Sequence, residues 1–445
     1  MEKVSYLVLG GGLAGITAAY ILSQKGIDSV VVESESEIGG LARTVRFDEF
    51  RYDIGGHRIF SDNPAVLKWI KDILGDSAVE VSRQSRIYMR GQFFHYPVRP
   101  LNALFRFGLP TSLKILATYL SARLKGTADS DETSFEDWVK SRFGSELYNL
   151  YFKPYTEKLW GIDCTELSSD WAKARISVVS LTHAIRRAVL PVGKVPRTYA
   201  PSFLYPKGGI STLIELIAQG ATRARIMTDC RPTRIAHDGK RITSVEVRTA
   251  DGTVGFEPEN VISSIPIDEL VRLLDPQPDS AVIADAGRLE YRALVCLFVT
   301  IDRSQVTKDN WIYFSEKRFP FARMHEPKNW DRSMSPPDKT SVCLEFFCSK
   351  GDATWNATEE ELASSSLPLL AEAGFFKLDE VESRHITRIP HAYPILKLGY
   401  KAKRRRVLDE LEKLANLKLV GRTGTFTYYN MDHVIEQVFE VLKTA

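Results

Sequence analysis

The sequence predicts an α/β fold in three parts: a discontinuous Rossmann-like domain, an inserted helical domain and a mostly antiparallel β-sheet domain. Three observations lead to this expectation. A strand, a glycine-rich turn and a helix open the chain at residues 4–24. A helical pattern follows over residues 101–175, and a strand-rich stretch lies at residues 286–350. Apolar runs typical of buried strands return after each insertion, which indicates that the first domain is interrupted twice.

The chain begins with the pattern of a dinucleotide-binding unit. The apolar run at residues 4–9 leads into Gly10, Gly12 and Gly15, and a helical segment follows. Gly10 permits a tight turn, Gly12 lets the backbone approach a pyrophosphate, and Gly15 allows the helix to pack on the strand. The helix N-terminus offers free N–H groups to phosphates. A second apolar run ends at Glu33, where a carboxylate can accept hydrogen bonds from ribose hydroxyls.

Two further glycine pairs favour a flavin over a nicotinamide cofactor. The pairs and the basic residue after each are Gly39, Gly40, Arg43, Gly55, Gly56 and His57. A nicotinamide dehydrogenase would continue with another βαβ unit at this point. Glycine pairs allow the backbone to pack against a flavin and its ribityl chain, and two ordinary turns are the alternative interpretation. The expected cofactor is FAD.

Composition limits the class of protein. The chain has 445 residues, of which 44% are hydrophobic and 26% charged, which is typical of a soluble globular protein with two or three domains. The net charge of +3 does not predict nucleic-acid binding. Five dispersed cysteines without a CxxC pair indicate a reducing compartment, and Cys343 and Cys348 are expected in the core. We expect a cytoplasmic protein without signal peptide, transmembrane helix or metal site.

The elements follow one another in an order that can be assigned to segments. Residues 60–75 are expected to form a helix capped by Asn63, and residues 86–96 a hairpin. Ser134 with Asp137 resembles a capping box. Strands are expected at residues 225–227, 242–247, 260–266, 295–300, 342–347 and 418–422, and a final helix at 433–444.

These elements give five predicted domain segments. They are a first part of the FAD-binding domain at residues 1–95, a helical domain with a mobile substrate loop at 96–204, a second FAD-binding part at 205–270, an antiparallel substrate sheet at 271–404, and a third FAD-binding part at 405–445. Two amphipathic stretches, residues 101–123 and 185–197, could lie on an anionic membrane surface. The favoured interpretation is a bundle helix and a solvated loop, so membrane association is not expected.

Several later segments resemble the UDP-galactopyranose mutases and occur in the order of that family. They are YTEKLWG at residues 155–161, KARI at 173–176, LEYR at 289–292, FAR at 321–323 and GRTGTFTYYNMD at 421–432. The glycine motif is shared by the wider amine-oxidase and protoporphyrinogen-oxidase-like FAD superfamily. The first and last of these segments are far more specific, and the resemblance extends from the first strand to the last helix.

The resemblance implies a role for each matched position. Arg175, on a loop that closes over the substrate, and Arg323 would hold the diphosphate, because a guanidinium can donate two hydrogen bonds to phosphate oxygens. Tyr155 would stack on the uracil, with Trp160 close to the nucleotide. His57 would lie beside the isoalloxazine. The remaining positions are Tyr205, Tyr393, Tyr428 and Asn430 on the substrate side, and Arg422 and Met431 on the cofactor side.

The implied activity is the interconversion of pyranose and furanose forms of a nucleoside-diphosphate sugar, without net redox. In the family, reduced FAD supplies N5 as the nucleophile, and the sugar recloses from a covalent flavin adduct. A reductant such as NAD(P)H and a role in cell-surface polysaccharide biosynthesis are also implied; family members are often dimers, which no pattern in this sequence decides. The family usually has aspartate at Asn430 and a small residue at Pro154, so the sugar and nucleotide stay open.

A second hypothesis is a true oxidoreductase of the amine-oxidase or protoporphyrinogen-oxidase type. It shares the glycine motif and the general domain plan. Its substrate would be an amine or an apolar molecule, and two phosphate-binding arginines would then have no role.

Overall fold

Two large β-sheets organise the molecule, for which the computed structural model describes residues 1–96, 108–126, 133–176 and 201–443. In chain order the strands are β1 Glu2–Leu9, β2 Ser29–Val32, β3 Thr44–Phe47, β4 Phe50–Asp53, β5 Ala78–Ser82, β6 Ser85–Met89, β7 Gln92–His95, β8 Ser202–Pro206, β9 Ala224–Met227, β10 Arg231–His237, β11 Ile242–Thr249, β12 Gly252–Ser263, β13 Leu274–Asp275, β14 Tyr291–Ile301, β15 Trp311–Phe314, β16 Arg323–His325, β17 Thr340–Cys348, β18 Val381–Pro394 and β19 Leu417–Leu419.

The helices cover the sheets and fill the insertion between them. The α-helices are Leu13–Gln24, Pro64–Leu74, Leu109–Lys125, Phe135–Phe143, Ser145–Leu147, Lys153–Trp160, Ser169–Arg175, Ser211–Gly220, Ile267–Leu273, Ser280–Gly287, Ala353–Asn356, Glu359–Glu372, Tyr400–Leu411, Gly421–Gly424 and Met431–Val441. A π-helical turn, Tyr148–Phe152, leads into Lys153–Trp160.

The first sheet forms the discontinuous domain that the sequence predicted. Its strand order is β13-β10-β11-β12-β1-β2-β9, with β19 beside β12. β1 runs parallel to β2 and β12, while β11 is antiparallel to both its neighbours. All four residues of β2 are buried, as expected for a strand covered on both faces. Helix Leu13–Gln24 packs with Ser211–Gly220 and Met431–Val441, so three distant parts of the chain complete this domain.

The second sheet is mostly antiparallel, as predicted. Its strand order is β18-β14-β17-β16-β15-β6-β7, and only β15 and β6 run parallel. Every residue of β17 is buried, which confirms the core positions of Cys343 and Cys348. The predicted hairpin is present as β6 and β7, but it extends this second sheet.

Local signals at helix ends are borne out. Asn63 caps helix Pro64–Leu74, where its side chain accepts a hydrogen bond from Ala65 N at 3.0 Å. Ser134 caps helix Phe135–Phe143, where its side chain accepts a hydrogen bond from Asp137 N at 3.0 Å. The last strand is shorter than predicted because Gly421 takes φ +80° and starts a helical turn.

Some predicted features fall outside the described part of the chain. These are the stretch at residues 185–197, most of the loop after Arg175, and the start of the stretch at 101–123. The described remainder of the last, helix Leu109–Lys125, buries Ile115 and Tyr119. Its exposed apolar side chains are Leu109, Leu113, Leu116, Leu120 and Leu124. Of the helices in the described residues, none has the length and hydrophobicity to cross a membrane.

Candidate active site

A cavity of about 570 Å³ opens beside the carboxyl ends of β1 and β2, and we call it the cofactor cavity. Most of the residues predicted to bind the cofactor line it: Gly10, Gly12, Glu33, Gly39, Gly40, Arg43, Arg422 and Met431, together with His57. In an open α/β sheet, ligands bind outside the carboxyl ends of the strands. The position of the cavity therefore matches that of a dinucleotide site.

The first glycine turn has two positions that exclude a side chain and one that does not. A Cβ on Gly10, whose φ is +101°, would come 2.4 Å from Ser264 Oγ. A Cβ on Gly15 would come 1.9 Å from the carbonyl oxygen of Gly10. At Gly12 the nearest protein atom would be 3.8 Å away, so protein packing does not exclude a side chain there, and close approach of a ligand is the expected reason for glycine. No side chain caps the helix at Gly12, which leaves its first N–H groups for an anion.

Glu33 fixes the shape of this turn. Its Oε2 accepts from Gly11 N at 2.7 Å, and its Oε1 accepts from Glu35 N at 2.9 Å and Ser34 Oγ at 3.2 Å. A carboxylate has about four acceptor positions, so one remains for a ribose hydroxyl. The side chain is buried but lines the cofactor cavity.

The second glycine pair packs on the first turn. Gly39 N donates to Gly11 O at 2.9 Å, and a Cβ on Gly40 would lie 3.1 Å from Gly12 Cα. Arg43 follows, and its Nε is buried without a partner among the described residues. A glycine cradle, an uncapped helix N-terminus and an unsatisfied arginine donor together fit the pyrophosphate and ribose of FAD.

A smaller cavity of about 200 Å³ continues from the first, and we call it the substrate cavity. The two share Ile54, His57, Arg422, Asn430 and Met431. The other predicted residues in its wall are Gly55, Gly56, Tyr155, Arg175, Arg323, Tyr393 and Tyr428. No aspartate or glutamate is among the described residues of this wall. Its character is therefore basic and aromatic.

Arg323 is held by a buried carboxylate. It lies opposite Glu345 in the β16–β17 ladder, and its Nη2 donates to Glu345 Oε2 and, at 3.2 Å, to Tyr393 Oη. Burial raises the pKa of the Glu345 carboxyl, but Arg323 and His325 outweigh this and bring it to about 2. The Nε of Arg323 is buried and has no partner in the described structure. The guanidinium is thus fixed in place with donor capacity left for a ligand.

Arg175 stands at the end of helix Ser169–Arg175 and faces an aromatic wall. Its Cζ lies 5.2 Å from the centre of the Tyr428 ring, and Tyr428 stacks on Tyr393 at 5.9 Å and 14°. Arg422 lies 5.0 Å from the Tyr393 ring and donates from Nε to Tyr429 O at 2.9 Å and from Nη1 to Ala392 O at 2.9 Å. Nε and Nη1 of Arg422 therefore donate to backbone carbonyls, whereas Arg175 makes no hydrogen bond to another described residue and is available to a substrate.

His57 lies where the two cavities meet. Burial lowers the pKa of its imidazole, chiefly against the opposing effect of Asp53. Its Nδ1 is buried without a partner in the described residues. The ring is accordingly neutral near pH 7 and can exchange one hydrogen bond with a group at the junction.

Two predicted substrate residues line neither cavity. Tyr205 is 1% exposed, and its hydroxyl donates to Asp53 Oδ2 at 2.7 Å. Trp160 is 2% exposed and packs against Trp171 at 5.6 Å between ring centres. Both side chains lie behind the described walls, and the substrate-binding role expected for Trp160 and Tyr205 stays a prediction.

Two residues that contribute to the site, Lys158 and Arg58, were not predicted from the sequence. Lys158, within the YTEKLWG segment, donates from Nζ to Phe314 O at 2.9 Å, Glu316 O at 2.7 Å and Phe321 O at 3.0 Å. It anchors the helix carrying Tyr155 to the second sheet. Arg58 lines the substrate cavity next to His57. Its place directly after a predicted site residue was the only available signal.

The comparisons with known proteins agree with this geometry. The sequence profile of the flavin containing amine oxidoreductases matches residues 13–421. The chain belongs to this family. Along all of its length it is 24% identical to a probable UDP-galactopyranose mutase of Klebsiella pneumoniae, of which 94% is covered. A shorter match, over 39% of this chain and 45% of the relative, gives 25% identity to the dTDP-fucopyranose mutase of Escherichia coli.

A solved structure supports the same fold. The crystal structure of a reduced UDP-galactopyranose mutase superposes with a TM-score of 0.84 over 99% of this chain and 96% of that chain, at 21% identity. The predicted resemblance to these mutases, within the wider FAD superfamily, is confirmed. So is the prediction of a flavin enzyme with FAD as its cofactor. In the described residues, no group of histidine, cysteine and acidic side chains could hold a metal.

Proposed function

We propose that this protein is a flavin-dependent mutase that interconverts the pyranose and furanose forms of a nucleoside-diphosphate sugar without net redox. The observation that carries the proposal is the meeting of Arg175 and Arg323 in one cavity that adjoins the glycine cradle. An enzyme acting on a diphosphate needs such charges beside its cofactor. The relatives named as mutases support the same interpretation.

The arginines are suited to bind a diphosphate and to stabilise it as a leaving group. Arg323 is prepositioned by Glu345, so little freedom is lost when it meets a phosphate. Arg175 has no carboxylate within ion-pair distance in the described residues, and it brings an uncompensated positive charge. Charge that develops on the leaving phosphate oxygen would be stabilised by both guanidinium groups.

The aromatic side chains would position the rest of the substrate. Tyr155 meets the edge of Tyr313 at 5.7 Å between ring centres, which leaves a π surface beside the arginines. Stacking of a nucleobase on such a ring is worth about 1–3 kcal/mol. Burial raises the pKa of the Tyr313 hydroxyl to about 12, and burial also raises the pKa of the Tyr155 hydroxyl well above its usual value. Both hydroxyls therefore stay protonated and act as hydrogen-bond donors to a sugar or phosphate.

Bound FAD, reduced by a donor such as NAD(P)H, would supply the nucleophile for the anomeric carbon. Gly10, Gly12 and Glu33 would hold its dinucleotide part, and His57 would lie at the junction where the sugar must react. No carboxylate lines the described wall, so proton transfer by a protein acid is not part of the proposal. We place this activity in the cytoplasmic synthesis of cell-surface polysaccharide precursors, with a homodimer as the assembly to test.

The competing function is oxidation of an amine, which the family profile favours. A cationic amine would have to enter a cavity whose charged side chains, among the described residues, are the arginines Arg58, Arg175, Arg323 and Arg422. Like-charge repulsion opposes that binding and favours an anionic substrate. The structure of this cavity therefore ranks the mutase first.

The two functions separate in one experiment. The purified flavoprotein is incubated with UDP-, dTDP- and GDP-hexoses, with and without dithionite, and the nucleotide sugars are resolved by chromatography. A mutase gives a new isomer only after reduction and releases no peroxide in air beyond the flavin's own reoxidation. Conversion of an amine with stoichiometric peroxide, and no isomerisation of any nucleotide sugar, would refute the proposal.

A further inference from the structure

In the described part of the substrate cavity, one guanidinium has no specific contact assigned to it by the proposed function. Arg58 is half-buried in its wall, beside His57. Among the described residues it makes no hydrogen bond and no ion pair, and its electrostatic neighbours are Arg83, Tyr313, Arg175 and Tyr96. Two of these neighbours are themselves cations. Burial, followed by the charge of Arg83, lowers the pKa of the Arg58 guanidinium to about 10.

Such an arrangement is unfavourable unless an anion is bound. A charge withdrawn from water without a partner loses solvation that nothing in the protein replaces. The other arginines in the described wall have partners: Glu345 neutralises Arg323, two backbone carbonyls accept hydrogen bonds from Arg422, and Arg175 lies over Tyr428. Arg58 has no such partner among the described residues, which points to a ligand group beyond the diphosphate.

Neutral hydrogen-bond donors in the same wall also favour a bound anion. The rings of Tyr96 and Tyr313 lie 4.6 Å apart, and neither hydroxyl has a hydrogen bond to a described residue. The indole Nε1 of Trp311 is buried without a partner in the described structure, although the side chain lines the cavity and is only 6% exposed. This nitrogen lies against Gly56, where an added Cβ would come within 2.5 Å of it. Among the described residues, no carboxylate lies in this wall to pair with these donors.

The position of Arg58 in the fold indicates which part of the substrate carries the anionic group. His57, its neighbour in sequence, belongs to both cavities and marks the end of the substrate cavity that meets the cofactor. In the proposed function the sugar occupies that end. We propose that the sugar of the natural substrate carries a carboxylate, and that Arg58 binds it. A guanidinium can hold a carboxylate through two parallel hydrogen bonds, which gives specificity as well as affinity.

This inference rests on the proposed function, and a two-step binding experiment tests them separately. Holoprotein is first titrated with UDP, dTDP and GDP, with quenching of flavin fluorescence as the readout. The diphosphate that binds most tightly is then compared as its neutral hexose and as the corresponding hexuronate. We expect the hexuronate to bind wild-type protein at least tenfold more tightly than the neutral sugar.

The substitution Arg58→Gln should remove this preference and bring the ratio of the two affinities close to one. Binding of the nucleoside diphosphate alone should change by less than threefold. Arg46→Gln is the matched control, because Arg46 is an exposed arginine of β3 that lines neither cavity. Flavin content and melting temperature verify that both variants are folded.

Three other outcomes are informative. If wild-type protein binds the neutral sugar as tightly as the hexuronate, the carboxylate inference is wrong while the mutase proposal stands. If Arg58→Gln weakens the nucleoside diphosphate itself, Arg58 belongs to the diphosphate site and the inference also fails. If none of the three nucleoside diphosphates binds, the proposed function fails together with it.

Discussion

Gly15→Ala should damage the cofactor site through packing alone. The added methyl group would lie 1.9 Å from the carbonyl oxygen of Gly10 and 3.1 Å from Val8 Cγ1. The first contact is about 1 Å closer than real Cβ atoms approach, and the opposing atom is backbone. Helix Leu13–Gln24 must therefore move away from β1 by roughly that distance. Overpacking of this kind typically costs about 1–3 kcal/mol of stability.

The loss of function should be larger than the loss of stability. The helix carries the N–H groups intended for the pyrophosphate, and a displacement of about 1 Å can reduce the efficiency of a site by about 10²-fold. We expect purified Gly15→Ala protein to contain little flavin and to bind added FAD at least tenfold more weakly. The assay is absorbance of bound flavin after gel filtration, followed by titration of apoprotein with FAD.

A matched glycine separates this effect from a general intolerance of alanine. Gly287 ends helix Ser280–Gly287, and a Cβ there would meet nothing within 4 Å. Gly287→Ala should leave FAD binding unchanged and stabilise the protein by about 0.4–1 kcal/mol. Normal FAD affinity in Gly15→Ala, or equal losses in the two variants, would contradict the packing argument.

Four further predictions concern the charged and aromatic side chains. Glu345→Gln leaves Arg323 buried without its carboxylate and should lower the free energy of unfolding by about 3–5 kcal/mol in chemical denaturation. In wild-type protein the pKa of Glu345, about 2, lies below the value of about 4.3 in the unfolded chain, so the ionised carboxylate stabilises the fold fully above about pH 4.3 and progressively less toward pH 2. Thermal melts at several pH values should show the melting temperature falling over this range. The same fall in Glu345→Gln would be contrary evidence. Burial lowers the pKa of His57, so the neutral imidazole contributes stability that is lost as pH falls below about 6.5. In His57→Gln the melting temperature should therefore depend less on pH between pH 5 and 7. A stronger dependence would count against burial as the cause. Tyr428→Leu removes the aromatic ring beneath Arg175, and this cation–π contact is worth about 0.5–2 kcal/mol. The variant should bind nucleoside diphosphate severalfold more weakly in the fluorescence titration. Tyr428→Phe keeps the π face and should bind as wild type does.

The sequence was most informative where one short segment determines the structure. The turn at Gly10 and Gly15, the cap at Asn63 and the hairpin of β6 and β7 follow from neighbouring residues, and each is present. The sheet to which that hairpin belongs could not be predicted. Its pairing partner is β15, more than two hundred residues later, and only the tertiary fold brings the two together.

The same distinction applies to the site. The family resemblance predicted a shared site for Arg175, Arg323, Tyr393 and Tyr428. These four residues line one cavity. The hydrogen bond from Tyr205 to Asp53 could not be predicted, because Asp53 comes from a distant strand. Arg58 was missed because a single arginine is usually a solvated surface residue. Burial and partners, which decide such cases, exist only after folding.

If the flavin acts without net redox, one reduction must support many turnovers, and the number of product molecules formed per reduced flavin measures this. The flavoprotein is reduced once under anaerobic conditions, excess reductant is removed, and the nucleotide sugar is added. We expect many molecules of isomer per flavin, with the flavin still reduced at the end. No more than one product per reduced flavin, or reoxidation of the flavin in step with substrate loss, would contradict it.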